Sequence, residues 1–153
     1  MATVHVQKDD FAPGAEAEAL ARGRTDVGAV VSFIGYCRDE GGGIAALELE
    51  HYPGMAEDEI ARAAAEAEAR WPLLGATVIH RYGPIAPGQR IVLVAVAAEH
   101  RGAAFAAAEM LMDYLKTRAP FWKRAIRGDG AVEGWIESKR QDDQSAARWS
   151  AAD

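Results

Sequence analysis

The residues of this chain best suited to chemistry are two lysines, Lys116 and Lys123, in the run Asp113-Tyr114-Leu115-Lys116-Thr117-Arg118-Ala119-Pro120-Phe121-Trp122-Lys123-Arg124. Lys116 stands at the end of a helical pattern, Pro120 breaks it, and Lys123 lies just inside the next segment. A chain reversal here turns both ammonium groups towards one pocket flanked by Phe121 and Trp122. A lysine held beside other cations and partly withdrawn from water gives up its proton more easily, so it can act as a nucleophile or an acid/base near neutrality. The competing reading is two solvated lysines. Against it, Tyr114 to Gly128 carries five basic residues (Lys116, Arg118, Lys123, Arg124, Arg127) and no acidic one, in a chain of net charge −6. Compensation of a helix dipole accounts for Lys116 and Arg118 but not for the three cations beyond Pro120. Such a concentration of positive charge on an acidic protein predicts an anion site.

Two further segments join these candidates. Glu99-His100-Arg101-Gly102 lies where an apolar strand hands over to a helix, a junction whose free amides can meet an anion, with His100 and Arg101 adding a donor and a fixed charge. The alternative there is that His100 only caps the helix. Arg38 follows the end of another strand, in Gly35-Tyr36-Cys37-Arg38, and suits a phosphate clamp. Cys37 reads as a small hydrophobe rather than a nucleophile. His5, His51 and His80 show no metal-ligand spacing, and no metal site is expected. Phosphate-loop, dinucleotide, nucleophile-elbow and zinc-protease motifs are absent, so kinase chemistry, hydride transfer and metalloprotease activity are unsupported.

The elements that must position these residues follow from periodicity. Thr3–Gln7 alternates as a strand, and Pro13–Ala21 reads as a short helix with Pro13 in its first turn. Gly28–Gly35 is apolar on both faces, the pattern of a buried strand, and Gly41-Gly42-Gly43 loosens the loop after it. Ile44–His51 is a strand with Leu47 and Leu49 on one face and Glu48 and Glu50 on the other. Met55–Arg70 is rich in helix formers and stops at Pro72. Ala76–Tyr82 and Arg90–Ala98 are strands of an expected hairpin. Arg101–Arg118 is the clearest helix, with Phe105, Ala108, Met112 and Leu115 as its apolar stripe. Phe121–Arg127 and Val132–Ile136 read as short strands, and residues 139–153 as a polar tail. Strands in adjacent pairs, only sometimes separated by helices, predict an α+β fold in a single domain over residues 1–153.

Composition closes off other classes. A chain of 153 residues buries enough surface to fold without a staple, and a lone cysteine cannot form an intrachain disulfide. The longest apolar stretch, Ile91–Ala98, is too short to cross a bilayer, and the amino terminus lacks a signal-peptide pattern. The acidic balance argues against nucleic-acid binding. A cytoplasmic protein without a membrane partner is expected.

Gly28–Gly35 (GAVVSFIG), Leu47–Met55 (LELEHYPGM), Val78–Gly88 (VIHRYGPIAPG), Glu99–Phe105 (EHRGAAF), Met112–Arg124 (MDYLKTRAPFWKR) and the Trp135-Ile136-Glu137 element together resemble the large-subunit family of molybdopterin synthase. The match runs from about residue 28 to residue 140, and KTRAPFWK is its most specific part. The resemblance implies mixed and antiparallel sheets of α/β-hammerhead type with packed helices. It also implies that a small ubiquitin-like subunit inserts its Gly-Gly C-terminus, carried as a thiocarboxylate, into a pocket that holds cyclic pyranopterin monophosphate. Two sulfur transfers then yield molybdopterin. By the same resemblance Lys116 is the main catalytic residue and Lys123 assists it. Arg38, His100 and Arg101 bind and orient the substrate with Arg124 as a neighbour, and Phe33 shapes the channel. No cofactor is implied. The assembly implied is a homodimer of large subunits extended to a heterotetramer. The alternative class is a non-catalytic module that binds a phosphorylated ligand or a ubiquitin-like tail.

Overall fold

The computed structural model describes residues 2–39, 41–135 and 140–150. Its elements are, in order, β1 (Ala2–Gln7), α1 (Pro13–Ala21), β2 (Ala29–Tyr36), β3 (Ile44–His51), α2 (Met55–Arg70), β4 (Leu73–Arg81), β5 (Gly83–Ile85), β6 (Arg90–Ala98), α3 (Arg101–Thr117), β7 (Phe121–Arg127) and α4 (Arg140–Ser150). The α+β expectation holds. One sheet has the order β1-β4-β6-β2, with β1 parallel to β4 and the other pairs antiparallel. The second has the order β5-β3-β7 and is antiparallel throughout.

Side-chain alternation builds the layers of the larger sheet. Val92, Val94 and Val96 of β6, with Ala76 and Val78 of β4, pack against Ile60, Ala63 and Ala67 of α2 and Leu111 and Leu115 of α3. The opposite phase, Ile79, Leu93 and Ala95, packs with Phe11 and with Leu20 of α1. Cys37, Leu49 and Ile85 form a third apolar cluster, with Leu47, Tyr82 and Ile91 against it. Cys37 is thus the small buried hydrophobe that its surroundings suggested.

Five expectations need correction. The strand over Gly28–Gly35 is not buried: β2 ends the sheet order with a single neighbour, and Phe33 is 42% exposed. A one-dimensional apolar run cannot distinguish an edge from a centre. The stripe of α3 is rotated, because Ala104, Ala107, Ala108 and Leu111 are buried while Phe105 is 59% exposed. Small alanines let the helix lie close to its neighbours and turn the large ring outward. The β4 and β6 strands pair as expected, but Gly83–Ile85 between them leaves the hairpin and joins β3 in the second sheet. Of the strand expected over Val132–Ile136, Val132 forms an isolated bridge to Ile126, and Ile136 lies outside the described residues, as does Glu137. The polar tail contains α4, held by a T-shaped Trp71–Trp149 contact at 5.8 Å and by Trp149 Nε1 donating to Asp113 Oδ2 at 2.5 Å.

Candidate functional site

Both lysines are delivered by the predicted reversal. Lys116 is in the last turn of α3, and Lys123 is the third residue of β7, paired in register with Leu49 of β3. Alternation along β7 puts Lys123 and Ala125 on the inner side and Trp122 and Arg124 on the outer. Arg38 comes from the end of β2. The Cys37 N–H donates to the Gln89 carbonyl at 2.8 Å, and the Gly88 N–H donates to the Cys37 carbonyl at 2.7 Å. These two bonds fix the backbone immediately before Arg38.

The space that these elements enclose has two parts that share both lysines. The outer cleft, of about 330 Å³, is lined by Arg38, Lys116, Lys123, Arg127, Tyr36 and Glu133 among others. Among its described lining residues the one acid, Glu133, pairs with Arg127 at 2.5 Å, and Arg38, Lys116 and Lys123 are further cations of the lining. The inner chamber is narrower, about 90 Å³, and mostly apolar, with Phe33, Leu47, Leu49, Val92 and Leu115 in its walls. His80 completes it. An anionic group therefore meets donors at the junction of a wide polar space with a narrow apolar one, where reduced solvent screening strengthens each interaction.

His80 is buried, and its ring stacks on Phe121 at 3.8 Å with 15° between planes. Nδ1 lies 2.8 Å from the Arg81 carbonyl oxygen, which can only accept, so Nδ1 carries the proton. Burial pushes the imidazole pKa down from its ordinary 6.5 to about 4; the bond to Arg81 opposes this, while Lys116, His51 and Lys123 reinforce it. His80 is neutral at physiological pH.

The structure brings Lys116, Lys123, Arg38 and Phe33 to one site and leaves three candidates elsewhere. Arg124 projects to the outer side of β7, donating through Nε and Nη2 to Glu48 Oε1 at 3.0 and 2.6 Å, with its guanidinium 4.4 Å from the Trp135 ring centroid. His100 and Arg101 begin α3, whereas Lys116 is in its last turn. Fifteen residues at about 1.5 Å each set Arg101 roughly 22 Å along the axis from Lys116. The His100 side chain makes no capping hydrogen bond. Sequence reasoning missed His80 and Glu133, while Arg127 belongs to the cationic segment it singled out. For His80 a signal existed: Ala76, Val78 and His80 share one phase of β4, so the histidine continues the core-facing side. Among the described residues, no group of three His, Cys, Asp or Glu side chains could hold a metal ion.

Comparison with known proteins decides the family. The model of the family described as "MoaE protein" matches residues 6–118. The chain belongs to the MoaE family. A relative named molybdopterin synthase catalytic subunit, from Mesorhizobium japonicum, is 63% identical over 98% of this chain and 94% of its own length. The solved structure of the MoaE protein of Burkholderia ambifaria is 46% identical, with a TM-score of 0.84 over 99% of this chain and 100% of that one. A molybdopterin synthase structure from Staphylococcus aureus is 30% identical, with a TM-score of 0.75 over 85% of this chain and 96% of that one. The MoaE fold therefore extends over nearly the whole chain, including the elements that carry both lysines. No helix among the described residues is long and apolar enough to cross a membrane.

Proposed function

We propose that this chain is the catalytic subunit of a molybdopterin synthase. It converts cyclic pyranopterin monophosphate to molybdopterin by two sulfur transfers from the thiocarboxylated C-terminus of a small ubiquitin-like subunit, in the cytoplasm. The observation that carries this reading is the convergence of Lys116 and Lys123 with Arg38 on one cleft of a MoaE-family chain. The wide cationic cleft suits the phosphorylated pterin, with Arg38 on its phosphate. The narrow chamber suits an extended tail of glycines, whose terminal thiocarboxylate then meets both ammonium groups. Lys116 is the main catalytic residue, Lys123 assists in proton transfer and charge stabilisation, and Phe33 forms a wall of the tail channel. Arg124 supports the β7 strand from behind through Glu48.

His100 and Arg101 cannot reach the lysines of their own chain, so their place in substrate binding requires a second copy. The unpaired edge of β2 and the exposed Phe33 and Phe105 rings support such a homodimer, which small subunits would extend to a heterotetramer.

The test is reconstitution with a thiocarboxylated small subunit and cyclic pyranopterin monophosphate, following product by the fluorescence of its oxidised derivative. Wild type should turn over, while Lys116→Ala and the charge-preserving Lys116→Arg should each lose about 10²–10⁴-fold, the range for a positioned acid/base. Full activity in Lys116→Arg would reduce the lysine to an anion anchor. A wild-type chain that binds both components without product would leave only a binding module.

A further inference from the structure

We propose that Nε2 of His80 accepts a hydrogen bond from a backbone N–H of the glycine tail that enters the inner chamber. This rests on the function proposed above and adds a residue to it. The tautomer is set by the Arg81 carbonyl: with the proton on Nδ1, a neutral ring presents a bare lone pair at Nε2. Within the chain the His80 ring makes only that one hydrogen bond among the described residues, and no buried side-chain nitrogen or oxygen is left without a partner. Nε2 is therefore not sealed in the core but opens to the chamber that His80 lines.

The chemistry of the chamber calls for such a group. Lys116 and Lys123 supply donors, which match a terminal carboxylate or thiocarboxylate but not the amide hydrogens behind it. An extended tail drawn between Phe33, Leu49 and Leu115 loses the water around those amides, and a buried donor left unmet weakens binding. Tyr36 lies at the mouth and is half exposed. His80 is the acceptor among the polar side chains inside. The titratable groups acting on it come from three elements: Lys116 from α3, Lys123 from β7 and His51 from β3. Burial together with both lysines keeps the ring unprotonated, so it remains an acceptor where a charged imidazole would be a third donor.

Calorimetric titration of the small subunit in its carboxylate form, intact or shortened by its last two residues, separates contact from scaffolding. Each form is titrated into wild type, His80→Phe, which keeps a ring on Phe121, and His80→Gln, whose amide oxygen can stand near Nε2. Loss of one hydrogen bond should weaken the intact form against His80→Phe by about tenfold, with the shortened form unchanged and most of the loss recovered in His80→Gln. Equal weakening of both forms, or none for the intact one, overturns the proposal. The reconstituted assay is run in parallel. Wild-type turnover with no tail-dependent effect of His80 rejects this inference alone, whereas absent wild-type binding or turnover rejects the function and this inference with it.

Discussion

At the scale of single residues, His80 and the lysine pair line one chamber at different depths. Lys116 is exposed and Lys123 half-buried where two elements meet a wide polar cleft, while the histidine is buried and neutral at physiological pH. A folded-state pKa of about 4 against an ordinary 6.5 has a thermodynamic consequence. Between those values the unfolded chain binds the proton more readily than the folded one. The stabilisation is therefore complete above pH 6.5, is lost as pH falls towards 4, and is worth on the order of 3 kcal/mol in all. Urea midpoints at pH 7.5 and 4.5 should show this loss in wild type, and His80→Gln should lose distinctly less over the same interval. Equal losses would mean that carboxylates elsewhere account for the acid sensitivity. The lysines themselves were legible from local composition, because a proline break between two cations flanked by aromatics is visible along the chain.

Elements position these groups through a few close backbone approaches. The Gly28 N–H donates to the Ala98 carbonyl at 3.0 Å, and a Cβ at residue 28 would stand 1.9 Å from the Glu99 carbonyl oxygen. No rotamer change relieves a collision with backbone. Gly28→Ala should accordingly cost about 2–3 kcal/mol, as overpacking does, read as a lower urea midpoint with an unchanged denaturant slope. A midpoint equal to wild type would show that the β2 start moves aside freely. The same junction precedes His100, so the substitution disturbs the entry to α3 as well. Helix and strand spans were largely readable, since α1, α2 and α3 announce themselves by proline, alanine and glutamate content. The three-residue β5 was not, because its partner β3 lies far away in sequence and Gly83-Pro84-Ile85 alone resembles a turn.

For the whole molecule, the separation of Arg101 from Lys116 along α3 is the decisive dimension. If two copies complete each other's sites, Arg101→Ala and Lys116→Ala chains should each be nearly inactive alone. Random reassortment then makes half the dimers mixed, each with one intact site, so the mixture should recover about a quarter of wild-type activity in the reconstituted assay, as expected for a symmetric pair. No recovery after confirmed exchange of subunits would confine each site to one chain and remove His100 and Arg101 from it. The exposed Phe33 and Phe105 would then need another explanation.

What the sequence by itself determined was local: the periodicities, the proline and glycine breaks, the cationic segment from Lys116 to Arg127, and the family-like run around KTRAPFWK. Those features depend on neighbours within a few positions, and so they are written in the order of residues. The tertiary structure decided which side of each element matters. It made β2 an edge, turned Phe105 outward, sent Arg124 behind β7 to Glu48, and folded the apparent tail into α4 against Asp113 and Trp71. It also brought His80 beneath two lysines more than thirty positions later in the chain. Burial and proximity arise from pairings between distant segments, and side-chain alternation specifies only relative phase, so the sheet order had to be known before any of these placements followed.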